Sequence, residues 1–428
     1  MSEKSVGDGD KQDRPLLERS KCWFLFAALL PTLFCACRPA PSDRVEISWA
    51  TNQHFTRFEA VARFEQIHPE IRVIIRPVSE PRQFLLQCLY GDSPDVITFF
   101  HPDSFQGFAE NNLLLPFAAD ECQPWPFYPG LKDYCFRHAD QALMALPQVA
   151  YPYVLYFNPD LVSPSIARTI RSWDDLFSLV APRLPLPPRN GKRVFGLDIQ
   201  SDIIWFTTWY WQRGGRFFSP DTAALVLDMA RAANTFDEMA KWRSIRGLLP
   251  RPGDRLNLPS KGASQGVLGS LFLQGRAMFY WSGSWKICDF VNQDKVKWDL
   301  IRLPAGPVND ITLLGGNSFG VSARSRHPEQ AKQFVRYLAS LDAQKRHIAH
   351  RIYMPSRPDC PVPPQYRLLK EQIRHARTLE YSPDYNEKLF REIIEQAVSA
   401  HRLGRMSSDQ AAAAMREGLE SGAIMVTP

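Results

Sequence analysis

The chain has 428 residues, 45% of them hydrophobic, which is too long for one ordinary core and predicts two lobes or domains. Its formal charge of +6 is mild and its basic residues are scattered, so no nucleic-acid partner is expected. The 35 prolines imply many defined loop turns, and the 11 tryptophans, if some line a cleft, imply a surface for stacking flat ligands.

At the N-terminus, Arg14, Arg19 and Lys21 precede an apolar run of about fifteen residues, too short to span a bilayer comfortably and proportioned like a secretory signal. The run closes on Phe34-Cys35-Ala36-Cys37. This resembles the bacterial lipoprotein signal, which is cut before a cysteine that is then acylated, although Phe34 stands where a leucine is usual. The alternative is an ordinary signal peptide with coincidental cysteines. On either reading residues 1–36 lie outside the fold, and 37–42 form a tether with lipid expected on Cys37. No later stretch is long and apolar enough to cross a membrane. Beyond the signal, Cys88, Cys122, Cys135, Cys288 and Cys360 remain. An oxidising exterior permits disulfides, and the odd number leaves at least one thiol unpaired. Cys122 and Cys135, close in sequence, are the candidate pair; buried thiols are the alternative. There is no C-x-x-C motif to suggest zinc or thioredoxin-like chemistry.

Val45–Trp49 alternates like a strand, Phe55 to Phe64 follows helical spacing, and Ile71–Val78 is β-branched. A helix over Arg82–Tyr90, a strand over Asp95–Phe100 and a helix over 104–111 follow. This β-α-β-α-β order predicts a parallel sheet with right-handed crossovers, with ligands beyond the carboxyl ends of its strands. Leu143–Tyr156 is strand-like despite Pro147 and Pro152. Ser172 caps a helix to Val180, with Asp174 and Asp175 in its first turn. Further strands are expected at 194–199, 276–281, 298–303 and 320–323. Further helices are expected at 202–211, 222–239, 266–275, 328–350 and 386–422.

Six motifs in order carry a family resemblance. They are Phe64-Glu65-Gln66-Ile67-His68-Pro69, Gly91-Asp92-Ser93-Pro94-Asp95-Val96, and Leu155-Tyr156-Phe157-Asn158-Pro159-Asp160-Leu161. The others are Ser172-Trp173-Asp174-Asp175-Leu176, Phe272-Leu273-Gln274-Gly275-Arg276-Ala277-Met278, and Pro328-Glu329-Gln330-Ala331 with Phe334. Together they resemble the bacterial extracellular solute-binding proteins of ABC importers, in the branch that includes maltose-binding protein. The resemblance implies two α/β lobes joined by crossing segments near 145–150, 309–314 and 351–355, closing on a ligand like a hinge. Lobe one would be 43–147 plus 313–350, and lobe two 150–310 plus 355–428. It further implies an exported, monomeric, non-catalytic protein that delivers a sugar-like solute to a permease. The Pro-rich block 182–189 and the loop 248–264 are long for the family pattern.

Enzyme signatures are weak. Gly262-Ala263-Ser264-Gln265-Gly266 matches G-x-S-x-G, but a polar loop precedes it where a strand is needed. His347 and His350 share a helix face without a third ligand nearby. P-loop, dinucleotide and zincin patterns are missing, so no cofactor or metal is expected. Aromatic residues lead instead. Trp205 and Trp209 are four apart on one helix face, and Trp281, Ser282 and Trp285 follow a strand. Indole rings cover the C–H faces of sugars while polar neighbours bind the hydroxyls. Polar candidates are Asn52 and Gln53 after the first strand, His101 and Asp103 after the third, Asn317 beside Gly315-Gly316, and Tyr353 in the third crossing. This set suits a neutral saccharide. Arg213 and Arg357 leave room for an anionic, glycerol-phosphate-like solute. A surface lipoprotein enzyme acting on glycans is the rival from another class, and it requires two carboxylates facing across the cleft.

Overall fold

A computed structural model describes residues 44–422. The exceptions are 52–54, 79–83, 85–87, 89–90, 119, 121–124, 200, 220–221, 223, 256–270, 292, 351–353 and 380–386. Strand β1 (Val45–Thr51) pairs in parallel with β2 (Ile71–Pro77) on one side and β3 (Val96–Phe99) on the other. Helix α1 (Phe55–Ile67) links the first two strands and buries Phe64 against Phe334, which also packs on Trp49. Helix α2 (Pro102–Glu110) leaves the end of β3 and leads to the short β4 (Leu114–Leu115). The predicted parallel opening is therefore present; most of the helix expected at 82–90 lies outside the described residues.

Strand β5 (Ala145–Phe157) is thirteen residues long and decides the architecture. After it come α3 (Trp173–Val180), β6 (Phe195–Ile199), α4 (Asp202–Gln212) and α5 (Met229–Ser244). Then come β7 (Ala277–Gly283), β8 (Asp299–Ile301), β9 (Thr312–Ser322), α6 (Pro328–Ala339) and α7 (Leu341–Ala349). Last are β10 (Ala376–Arg377), α8 (Glu387–Arg402) and α9 (Ser408–Ser421). The main strand order is β2-β1-β3-β9-β5-β7-β6. The first part of β5 pairs antiparallel with β9, from Ala145↔Gly320 to Pro152↔Leu314. Its second part pairs with β7, from Tyr153↔Gly283 to Phe157↔Phe279. One strand thus belongs to both halves of the sheet. An irregularity between Pro147 and Val149 absorbs the proline that cannot donate to the ladder. Alongside, the Ala150 amide donates to the Met354 carbonyl (3.1 Å) and the Ser356 amide to the Gln148 carbonyl (3.0 Å). Residues of the first and third expected crossing segments therefore lie side by side.

Local chemistry explains the helix ends. At α3 the Ser172 hydroxyl accepts from the Asp175 amide (3.1 Å) and the Asp175 carboxylate from the Ser172 amide (2.9 Å), a capping box. The helix expected from 222 begins only at Met229, because Asp228 caps it by accepting from the Arg231 amide. The helix expected over 328–350 is two helices, since the Ser340 hydroxyl caps α7. Of the helix expected over 266–275, Leu271–Gln274 is a single 3-10 turn, and 266–270 lie outside the described residues.

The second half has an aromatic core. Trp173 meets Trp209 (5.4 Å between centroids), Trp242 (5.9 Å) and Trp281 (4.8 Å), while Trp205 packs edge-on against Trp209 (5.1 Å). Gln212, fully buried at the end of α4, accepts from the Trp173 indole (2.6 Å) and donates to the carbonyls of Pro304 and Ile311 (3.0 Å each). This side chain fastens α4 to the approach to β9.

Candidate functional site

The strand ends of the two halves meet along β9. From the second half, Trp285 follows the carboxyl end of β7 and is half-buried. Its ring lies edge-on to Tyr151 (5.9 Å, 81°) and Tyr153 (5.0 Å, 85°) of β5. A side chain at Gly283 would put its Cβ 1.7 Å from this indole, so only glycine lets the ring lie down on the strand. A Cβ at Gly315 would meet the same indole at 3.8 Å and Tyr151 at 3.6 Å. Trp285 therefore reaches β9 at Gly315. The Tyr156 hydroxyl donates to the Gly283 carbonyl (3.0 Å). Burial raises this phenol well above its ordinary range, so it remains a neutral donor.

Asn317 lies two residues beyond Gly315, on the same strand face and roughly 7 Å along. It is fully buried, and among the described residues neither atom of its amide has a hydrogen-bond partner. Buried amides without partners are uncommon, although the buried indoles of Trp205, Trp209 and Trp281 share that condition here. Extending the β3–β9 register, in which Phe99 pairs with Ser318, sets Asn317 beside Phe100 at the carboxyl end of β3. Two residues further, Phe319 carries the Arg57 guanidinium (5.5 Å), which also lies over Trp49 (5.4 Å) and donates to Gln148 Oε1 (2.6 Å). One face of β9 thus runs from an aromatic corner, past an unpaired amide, to a buried arginine.

The structure separates the residues singled out from the sequence. Trp285 and Asn317 come together on this face. Trp205, Trp209 and Trp281 do not: each is 1% exposed and belongs to the aromatic core of the second half. The i, i+4 pair faces inward because the whole of α4 from Ile203 to Gln212 is buried, so its aromatic stripe marks packing. Ser282 is fully buried within β7. His101 is exposed just before α2, and Asp103 lies in the first turn of that helix. Asn52, Gln53, Tyr353, Cys37 and Cys122 lie outside the described residues, as does Gly262–Gly266; Cys135 is buried. Arg357 is engaged by both oxygens of Asp359 (3.0 and 2.8 Å), and Arg213 lies over Trp209. Sequence reasoning missed Tyr151 and Arg57. Arg57 carried a signal: a cation in the first turn of a helix opposes the helix dipole and needs another reason to be there.

The sequence model of a family described as bacterial extracellular solute-binding protein matches residues 59–370. The galactooligosaccharide-binding protein of Bacillus subtilis is 23% identical over 390 residues, covering 85% of this chain and 88% of that protein. The multiple sugar-binding protein of Streptococcus mutans is 22% identical over 346 residues, covering 74% and 78%. Among solved structures, the GacH receptor of Streptomyces glaucescens, known unliganded and with acarbose, superposes with a TM-score of 0.73 at 18% identity. That likeness covers 88% of this chain and 98% of the receptor. An ABC substrate-binding protein of Listeria monocytogenes in complex with cycloalternan gives 0.72 at 18% identity, covering 89% and 99%. Each of these relatives is a protein named for binding its ligand or as a receptor.

Proposed function

Because the chain belongs to the bacterial extracellular solute-binding proteins and shares their two-lobed α/β fold, we propose that it captures a saccharide between its lobes and delivers it to the permease of an ABC importer. The observation that carries this reading is the β9 face. Trp285 with Tyr151 offers an apolar aromatic surface, and Asn317 offers a donor and an acceptor with no partner among the described residues. A sugar needs both: ring C–H faces are covered by aromatic carbon while hydroxyls are bound by an amide. The ligands named for the relatives, galactooligosaccharide and acarbose among them, are of this chemical class. Lobe one is taken as 43–147 plus 313–350, and lobe two as 150–310 plus 355–428. A ligand that touches both favours the closed form only by its extra contacts there.

The test is thermal unfolding of the full chain with a panel of galacto- and maltooligosaccharides. A ligand at a hundred times its Kd should stabilise the folded state by about 2.7 kcal/mol and raise the Tm accordingly. If none of the panel moves the Tm while an anionic glycerol phosphate does, the saccharide reading gives way to the anionic one.

We also propose that the protein is a monomer held at the outer face of the membrane by lipid on Cys37. The basic-then-apolar segment ending at Ala36 supports this. Mass spectrometry should find Cys37 acylated as the first residue, and Cys37→Ser should release the protein with its saccharide affinity unchanged. Cleavage elsewhere, or an unacylated Cys37, would overturn the anchor.

A further inference from the structure

At the opposite end of β6 and β7, roughly 20 Å from Trp285 along β7, a cavity of about 500 Å³ is lined by Arg189, Asn190, Lys192, Gln274, Arg276 and Lys295, with Gly275 among them. Arg189 and Lys192 form the mouth of a two-residue hairpin, each donating its amide to the other's carbonyl at 2.9 Å. Both tip residues, Asn190 (φ 51°) and Gly191 (φ 70°), are left-handed, the turn that fixes such a hairpin. Gly275 is also left-handed (φ 68°), and a Cβ there would lie 3.8 Å from the Arg189 guanidinium. The Arg189 side chain at the hairpin mouth therefore lies over the turn that starts β7.

Among the described residues the charge in this cavity is uncompensated. Arg276 is held by two neutral acceptors, the Arg193 carbonyl (3.0 Å) and Gln274 Oε1 (3.2 Å). Among the described residues no carboxylate lies within ion-pair distance of Arg189, Lys192, Arg276 or Lys295. Asp254 pairs instead with Arg193 (3.8 Å), and Asp294, next to Lys295 in sequence, pairs with none of the four. Surface cations that serve only solubility alternate with acids, as they do elsewhere on this molecule at Arg168–Asp299 and Lys297–Asp160. Four cations around one concavity, two of them arginines with planar donor forks, suit an oxyanion carrying several acceptor oxygens.

We infer that this cavity is an anion site separate from the saccharide cleft, and that it takes a phosphate group, either free or as the diester of a lipid headgroup. The site stands whether or not the cleft reading holds, because it shares no residue with it.

The test is calorimetric titration of the full chain with inorganic phosphate and, separately, with glycerophosphoglycerol as a soluble headgroup diester. Three proteins are compared at low salt: the wild type, Arg189→Gln/Lys192→Gln/Lys295→Gln, and the equal-charge control Lys132→Gln/Lys345→Gln/Arg405→Gln. Arg276 is left intact because its hydrogen bonds hold the turn. The cavity variant should lose affinity at least tenfold while the control stays within twofold, and saccharide binding should be the same in all three. Binding should also weaken as salt rises from about 0.05 to 0.3 M, because screening shortens the reach of these charges. Preference for inorganic phosphate identifies a free anion, and preference for the diester identifies a headgroup. If neither probe binds the wild type, or if the control loses as much as the cavity variant, the site does not exist.

Discussion

Trp285→Ala should weaken saccharide binding by about 2 kcal/mol, roughly thirtyfold in Kd, while the ligand-free protein melts almost where the wild type does. The two effects separate because of where the ring sits. It is half-buried, and its support is a glycine strand and the edges of two tyrosines, so its removal opens no enclosed cavity. With Tyr151, which pairs with Gly315, it forms the aromatic surface where the second half reaches β9. Titration of the variant with the saccharide identified by thermal shift would measure this. Undiminished affinity would remove the aromatic surface from the binding mechanism.

Trp281→Ala should do the reverse. This indole is 1% exposed and lies 4.8 Å from Trp173, in the cluster that includes Trp205, Trp209 and Trp242. Deleting it leaves a cavity walled by stiff aromatic rings that cannot collapse into it. A loss of about 3–5 kcal/mol in unfolding free energy is expected from a truncation of this size. Denaturant titration would record it as a lower midpoint, with ligand affinity of the folded fraction little changed. A variant of wild-type stability that no longer binds sugar would place Trp281 at the ligand instead.

Where local chemistry dominates, the sequence is a good guide. The β-branched run at Ile71, the Ser172–Asp175 capping box and the aromatic helix at Asp202 all form as their residues dictate. Long-range pairing is harder to read. Thr312–Ser322 contains Gly315, Gly316 and Gly320, which individually disfavour a strand, yet it forms eleven residues of β9 because neighbours pair with it along both edges. At Gly316 a Cβ would strike Leu131 at 2.8 Å, so the glycine that hides the strand from a propensity reading is there to admit a neighbouring side chain. The tryptophans show the same limit. Composition marked them as valuable but could not divide core from surface, since an indole packs equally well against a protein ring or a sugar. Trp285 differs from Trp281 only in lying past the last paired residue of β7.

The pairing of β3 with β9 has a consequence for biosynthesis. Val96 finds its partner Val321 more than two hundred residues later in the chain, so a polypeptide threaded outward N-terminus first cannot finish its opening sheet until nearly the whole of the second half has followed. Closing so long a loop adds an entropic cost, and topologies rich in such non-local pairings fold more slowly than local ones. Until then the edge of β3 that β9 will cover lacks its native partner. It is β9, lying between β3 and β5, that joins both halves of the sheet.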